Sequence, residues 1–163
     1  MNAAQMFDQL EAHFGDAILE TAEEKLPVVR VEAARLPDVA AYLKDSPGLD
    51  FDLFVSVTAV DYEDRFEVVY LLRSLKEGHT LVLKVQPDRE DPVVPSLVSL
   101  WEGARLQERE VYDFFGICFA DHPNLKRLFL WAEFPGYPLR KDFQYTASIP
   151  YSEPPGQEQA YNL

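Results

Sequence analysis

The densest run of groups able to do chemistry in this chain is EREVYDFFGI, residues 108–117. Glu108, Glu110 and Asp113 supply three carboxylates, and Arg109 supplies a guanidinium between them. Such a set could move protons, pair ions on a helix, or dock against another protein. On a helix, at about 100° per residue, Glu108, Val111, Tyr112 and Phe115 share one face. Glu108 therefore borders an apolar stripe, where burial demands a partner, and Arg105, three residues earlier, could neutralise it. Arg109 and Asp113 lie four apart and could pair, worth a few tenths of a kcal/mol if exposed.

Other catalytic constellations are missing from the sequence. His13, His79 and His122 are far apart, and none has a second His or Cys at ligand spacing. Cys118 lies between Ile117 and Phe119, so a buried thiol is the expectation there. GxGxxG, GxxxxGK and GxSxG do not occur. A lone cysteine excludes an internal disulfide and any cysteine cluster held by this chain alone. A free-standing active site is not expected.

The elements that position these groups follow from periodicity. Met6, Phe7, Leu10 and Phe14 recur at helical steps over 2–14, with Gly15 as the stop. Residues 26–31 read as a strand, and Leu36–Pro37–Asp38 opens a second helix ending at Pro47–Gly48. Three strands are predicted over 51–60, 65–75 and 79–87, the last two joined as a hairpin through Gly78. Strict alternation places Phe51, Leu53, Val55, Val57 and Ala59 on one face. A helical region from about Ser96 to Phe115, interrupted near Gly103, ends at Gly116. The fold class is α+β: a small mixed or antiparallel sheet with helices packed on it, followed by an irregular C-terminal arm. The division is a body over 1–117, a partner-binding segment over 118–143, and an extended Pro/Tyr-rich tail over 144–163.

Charge is uneven. The net charge is −13, with 10 Lys and Arg against 20 Asp and Glu in residues 1–107, and 5 against 6 in 108–143. An acidic body argues against nucleic acid or anionic lipid as partner. Apolar runs are far shorter than the roughly 18 residues a membrane helix needs. The N-terminus has neither a basic leader nor an arginine-rich, acid-poor transit segment. A bacterial cytosolic chain is expected, reaching a membrane only through partners.

The segment after the helix concentrates aromatic residues. Residues 108–151 hold 11 of the chain's 21 aromatics, interleaved with Lys126, Arg127, Arg140 and Lys141 and broken by Pro123, Pro135, Gly136 and Pro138. An irregular, aromatic and arginine-rich stretch must pack on the body or on another protein. Here EREVYDFFGICFADHPNLKRLFLWAEFPGYPLRKDF (108–143) resembles the signature region of the respiratory complex I thirty-kilodalton subunit family, the C subunit of NADH-quinone oxidoreductase. Three blocks carry the resemblance. The first is Glu108, Arg109, Glu110, Asp113, Gly116 and Ile117; the second is His122–Pro123 with Leu125, Lys126, Arg127 and Leu128; the third is Gly136, Pro138 and Leu139–Arg140–Lys141–Asp142–Phe143. Glu133–Phe134, Tyr137 and Phe129 depart from the family's usual residues.

The resemblance implies a non-catalytic scaffold subunit in the cytosolic arm of a proton-translocating NADH:quinone oxidoreductase. It implies no cofactor in this chain, with FMN, iron–sulfur clusters and quinone in partner subunits. The D subunit of the complex is the implied main contact, with the B subunit and a ferredoxin-like subunit nearby, on the cytoplasmic side of the bacterial inner membrane. Glu108, Arg109, Glu110, Asp113, His122, Lys126, Arg127, Arg140, Lys141, Asp142 and Phe143 become candidate partner-interface residues. The alternative within the family is a membrane-bound hydrogenase, or another quinone-reducing dehydrogenase whose donor is not NADH. Outside it stand a stand-alone binding module and a small carboxylate enzyme built on Glu108 and Glu110.

Overall fold

The computed structural model describes residues 2–144. The tail expected over 144–163 lies, apart from Gln144, outside them. Helix α1 (Ala3–Phe14) opens on a capping box, in which the Asn2 side chain accepts from the Gln5 amide and Gln5 reaches back to the Asn2 amide. Its buried residues, Met6 and Leu10, face the core. Helix α2 (Leu36–Asp45) takes Pro37 in its first turn and buries Leu36, Val39, Ala40 and Leu43. Helix α3 (Ala104–Phe115) follows Gly103 and ends at Gly116 in the left-handed conformation, φ 69°. The helix expected from Ser96 is shorter than the sequence reading: 93–101 instead forms the short strand β6 (Val93–Pro95) and a turn anchored by Trp101 Nε1 donating to the Phe51 carbonyl at 3.2 Å.

Five strands make the main sheet: β1 (Ile18–Glu23), β2 (Pro27–Val31), β3 (Leu53–Asp61), β4 (Phe66–Arg73) and β5 (Thr80–Val85). Their order is β1-β2-β5-β4-β3, antiparallel throughout except for the parallel pair β2–β5. The sheet is mixed and the class α+β, as expected. Strand β1 was not anticipated, because ILETAE is an edge strand with neither face fully buried and so lacks clean alternation. A second, two-stranded piece pairs β6 in parallel with β7 (Cys118–Ala120), tying the start of the arm to the body.

One hydrophobic core joins the three helices to the strands, with Phe51, Phe66, Tyr70, Leu83 and Phe119 among its fully buried large side chains. The expected face of β3 is corrected by a bulge. Pairing with β4 slips between Phe54 and Ser56, so Phe54 points inward, Leu53 and Val55 are exposed, and Val57, Ala59 and Asp61 resume the buried face. An inserted residue reverses side-chain phase along a strand, and strict alternation from the sequence cannot see it. Cys118 is also corrected: it is exposed, while its neighbours Ile117 and Phe119 are buried.

Candidate functional site

The C-terminal half of α3 and the arm that follows it form a joint held by charged side chains. Asp113 is fully buried. Its Oδ2 accepts from three successive amides, Leu128, Phe129 and Leu130, at 3.0, 2.7 and 3.0 Å. Its Oδ1 lies 3.1 Å from the Arg127 guanidinium. Burial raises its pKa, but the three amides and Arg127 outweigh that and hold the carboxyl below its usual range. Arg127 also donates to the carbonyls of Asp113, Phe134 and Gly136 at 3.1, 3.0 and 3.1 Å. The Arg109–Asp113 pair read from spacing does not form. Arg109 instead donates to the carbonyls of Lys126 and Arg127 at 3.0 and 2.9 Å, giving backbone acceptors of the irregular arm the donor that no ladder supplies.

Arg140 closes the same joint from the other side. It donates to the Phe115 and Gly116 carbonyls at the end of α3, where a cation also meets the negative end of the helix dipole. Its guanidinium lies 5.0 Å from the Phe66 ring centroid and 4.9 Å from that of Tyr137. Tyr137 lies over Gly116, so closely that a Cβ on Gly116 would overlap the ring. Past Arg140, the Lys141 amide donates to Asp61 Oδ2 at 3.0 Å. Asp61 is itself paired with Arg89 at 2.6 Å, and Arg89 reaches Asp142 at 3.5 Å. Phe143 stacks on Phe134 with centroids 5.9 Å apart.

Glu108, five residues before Asp113 on α3, is also fully buried. Its carboxylate accepts from the Ser96 hydroxyl at 2.6 Å and the Leu97 amide at 2.8 Å. Burial pushes its pKa up to about 7, against those two hydrogen bonds. Arg105, expected from spacing to neutralise it, pairs with Glu102 instead. His122 receives the Asn124 amide on Nδ1 at 3.0 Å, so Nε2 carries the proton and donates to the Arg105 carbonyl at 2.9 Å. Glu110 and Lys126 are exposed, and their side chains bond to nothing else among the described residues.

The candidate residues thus divide. Asp113, Arg127, Arg109, Arg140 and the Lys141 backbone come together as an internal clamp. Glu110 and Lys126 face outward, and Glu108 and His122 hold the segments on either side of α3. Asp61, Arg89, Ser96 and Phe66 also take part, though none was a candidate from the sequence. Asp61 had a signal, since it continues the buried positions Val57 and Ala59; Arg89 and Ser96 had none. Among the described residues no group of three His, Cys, Asp or Glu side chains is placed to hold a metal ion. A pocket of about 290 Å³ beside Lys44, Leu53, Trp101 and Gly103 shares no residue with the clamp.

The fold and the clamp define a small α+β domain whose last helix is buttressed by its own C-terminal arm. The family model of the respiratory-chain NADH dehydrogenase 30 Kd subunit matches residues 29–148, and the chain belongs to that family. The C subunit of NADH-quinone oxidoreductase from Roseiflexus sp. (strain RS-1) is 43% identical over 146 residues, covering 87% of this chain and 84% of that protein. Among solved structures, the trypsin-resistant fragment of Nqo5 superposes with a TM-score of 0.65 at 29% identity, covering 77% of this chain and all of the fragment. A chain of the membrane-bound sulfane sulfur reductase, an archaeal respiratory membrane complex, superposes with a TM-score of 0.71 at 26% identity, covering 86% and 85%. No helix among the described residues is long and apolar enough to cross a membrane.

Proposed function

We propose that this chain is a scaffold subunit of a proton-translocating NADH:quinone oxidoreductase, bracing the quinone-site subunit and the electron-transfer chain from the cytoplasmic side of a bacterial inner membrane. Membership of the 30 Kd family and a relative named as the C subunit of that enzyme support this choice of complex. The observation that carries the role is the destination of the signature charges: Asp113, Arg109, Arg127 and Arg140 bond to backbone groups of their own arm and of the helix end it packs on. Side chains used this way fix the shape of a surface. In this reading FMN, iron–sulfur clusters and quinone belong to partner subunits, with the D subunit as the main contact and the B subunit and a ferredoxin-like subunit nearby.

A second reading keeps the scaffold and changes the donor. The sulfane sulfur reductase chain superposes over most of this domain, so the same fold serves a complex of different name. The test is a tagged pull-down from membranes of the native host. Recovery of the quinone-site subunit with an NADH- and flavin-binding subunit supports the first reading. A hydrogenase or sulfur-reducing set without that subunit supports the second, and recovery of no oxidoreductase subunit overturns both.

A further inference from the structure

Three of the most exposed apolar side chains among the described residues, Leu106, Phe129 and Leu139, lie on α3 and on the arm that packs against it. On α3, Leu106, Glu110 and Phe114 stand four residues apart and form one outward stripe. Leu106 is 54% exposed, and the two arm residues that extend the stripe, Phe129 and Leu139, are 64% and 55% exposed. Phe129 stacks on Phe114 with the rings 10° from parallel and centroids 5.7 Å apart. The Leu139 amide donates to the Phe114 carbonyl at 3.1 Å, which sets that residue against the same turn of helix.

The arm shows Phe129 to solvent on a locked backbone. Its amide and those on either side all bond to Asp113, and the carbonyls of Lys126 and Arg127 just before it receive Arg109. An aromatic anchor held this way loses little conformational entropy on docking, while leaving it in water wastes a large apolar area. Among the described residues Lys126, three residues before Phe129, is exposed and pairs with no carboxylate, and Arg109 bonds only to carbonyls, whereas the chain as a whole is at −13. Glu110 is the single acid exposed on the stripe.

We propose that Leu106, Phe114, Phe129 and Leu139 form a docking ridge for a protein partner that offers an apolar recess rimmed by a carboxylate, which meets Lys126. This rests on the scaffold reading and names the surface of contact, one made by side chains outside the clamp. The clamp shapes the ridge, and the ridge carries the contact energy.

The test replaces the chromosomal copy of this chain with tagged variants and measures how much quinone-site subunit co-purifies from membranes. Phe129→Ser with Leu139→Ser is expected to reduce recovery about tenfold or more. Leu75→Ser is the control, because Leu75 is 65% exposed on the β4–β5 turn and off the ridge; it is expected to leave recovery unchanged. Lys126→Glu is expected to reduce recovery several-fold, with part of the loss restored at lower pH as carboxylates protonate. Leu106→Ser, on the helix rather than the arm, gives an independent loss should the double variant fail to fold. Full recovery with the ridge variants overturns the proposal while leaving the scaffold reading intact. Recovery of no oxidoreductase subunit with the wild-type chain overturns the scaffold reading itself. A wild-type chain that is a dimer in isolation and becomes a monomer on Phe129→Ser overturns the proposal in favour of a second copy as the occupant.

Discussion

Asp113 and Arg127, 3.1 Å apart, organise opposite halves of the same arm. Asp113 gathers the amides of 128–130, and Arg127 gathers the carbonyls of Phe134 and Gly136. The pair satisfies backbone groups that an irregular segment would otherwise leave unbonded, which is how a stretch with almost no regular secondary structure keeps a fixed shape.

Asp113→Ala should therefore cost about 3–5 kcal/mol, since it strands a largely buried guanidinium and three amides. Urea unfolding of the purified chain measures it, and loss of hydrogen-exchange protection confined to 128–130 identifies the cause. The folded carboxyl sits below its unfolded value, so its contribution is present above the usual carboxylate range and is lost as pH falls below it. A variant as acid-sensitive as the wild type would contradict this.

Gly116→Ala combines two penalties. The position has φ 69°, and the Tyr137 ring fills the place where Cβ would go. A left-handed alanine alone costs about 1 kcal/mol, and displacing the ring and its cation contacts should bring the total to about 3 kcal/mol. In a double-mutant cycle, Tyr137→Ala should remove most of the second part and leave the first. Strictly additive losses would mean that the ring and the glycine do not interact.

Glu108 gives the opposite pH signature from Asp113. Its pKa is raised by burial to about 7, so its stabilising contribution is complete below about 4.5 and disappears as pH rises through 7. The difference amounts to about 3 kcal/mol between those limits. The facing titratable group is Tyr70, whose hydroxyl is buried without a hydrogen-bond partner and whose pKa is raised by burial and by Glu108. The amide introduced by Glu108→Gln mimics the neutral acid toward Ser96 and Leu97. Thermal melts of Glu108→Gln from pH 5 to 8 should be flatter than those of the wild type, and parallel curves would show that Glu108 does not titrate there.

These groups also mark where the sequence was legible. Helices α1 and α2 and the β4–β5 hairpin were readable because their apolar residues keep a period and their ends carry Gly or Pro. The bulge in β3 left no trace, since FDLFVSV puts Phe51, Leu53, Val55 and Val57 in one apolar phase, and Phe54 alone marks the phase that is buried there. The signature charges could be found by type and spacing, but their partners could not. Arg109 and Asp113 are an acceptable helix pair in isolation, and only the returning arm offers each a better bond. Cys118 looked apolar by its neighbours, yet in a strand the neighbours point the other way.

The end of the arm separates side-chain from backbone bracing. Lys141 carries a charge that invites a docking role, but its Nζ lies 3.7 Å from Glu63 with both side chains exposed, an arrangement worth at most a few tenths of a kcal/mol. Its amide does the holding, bonded to Asp61, which also receives Arg89 and the Glu63 amide. Lys141→Ala should then change stability by less than about 0.5 kcal/mol. Lys141→Pro, which removes the donor, and Asp61→Ala, which removes the acceptor and strands Arg89, should each cost about 2–4 kcal/mol. Both should also expose the 140–143 stretch to limited proteolysis. If Lys141→Ala alone released the arm, the ammonium would be the brace and the backbone bond incidental.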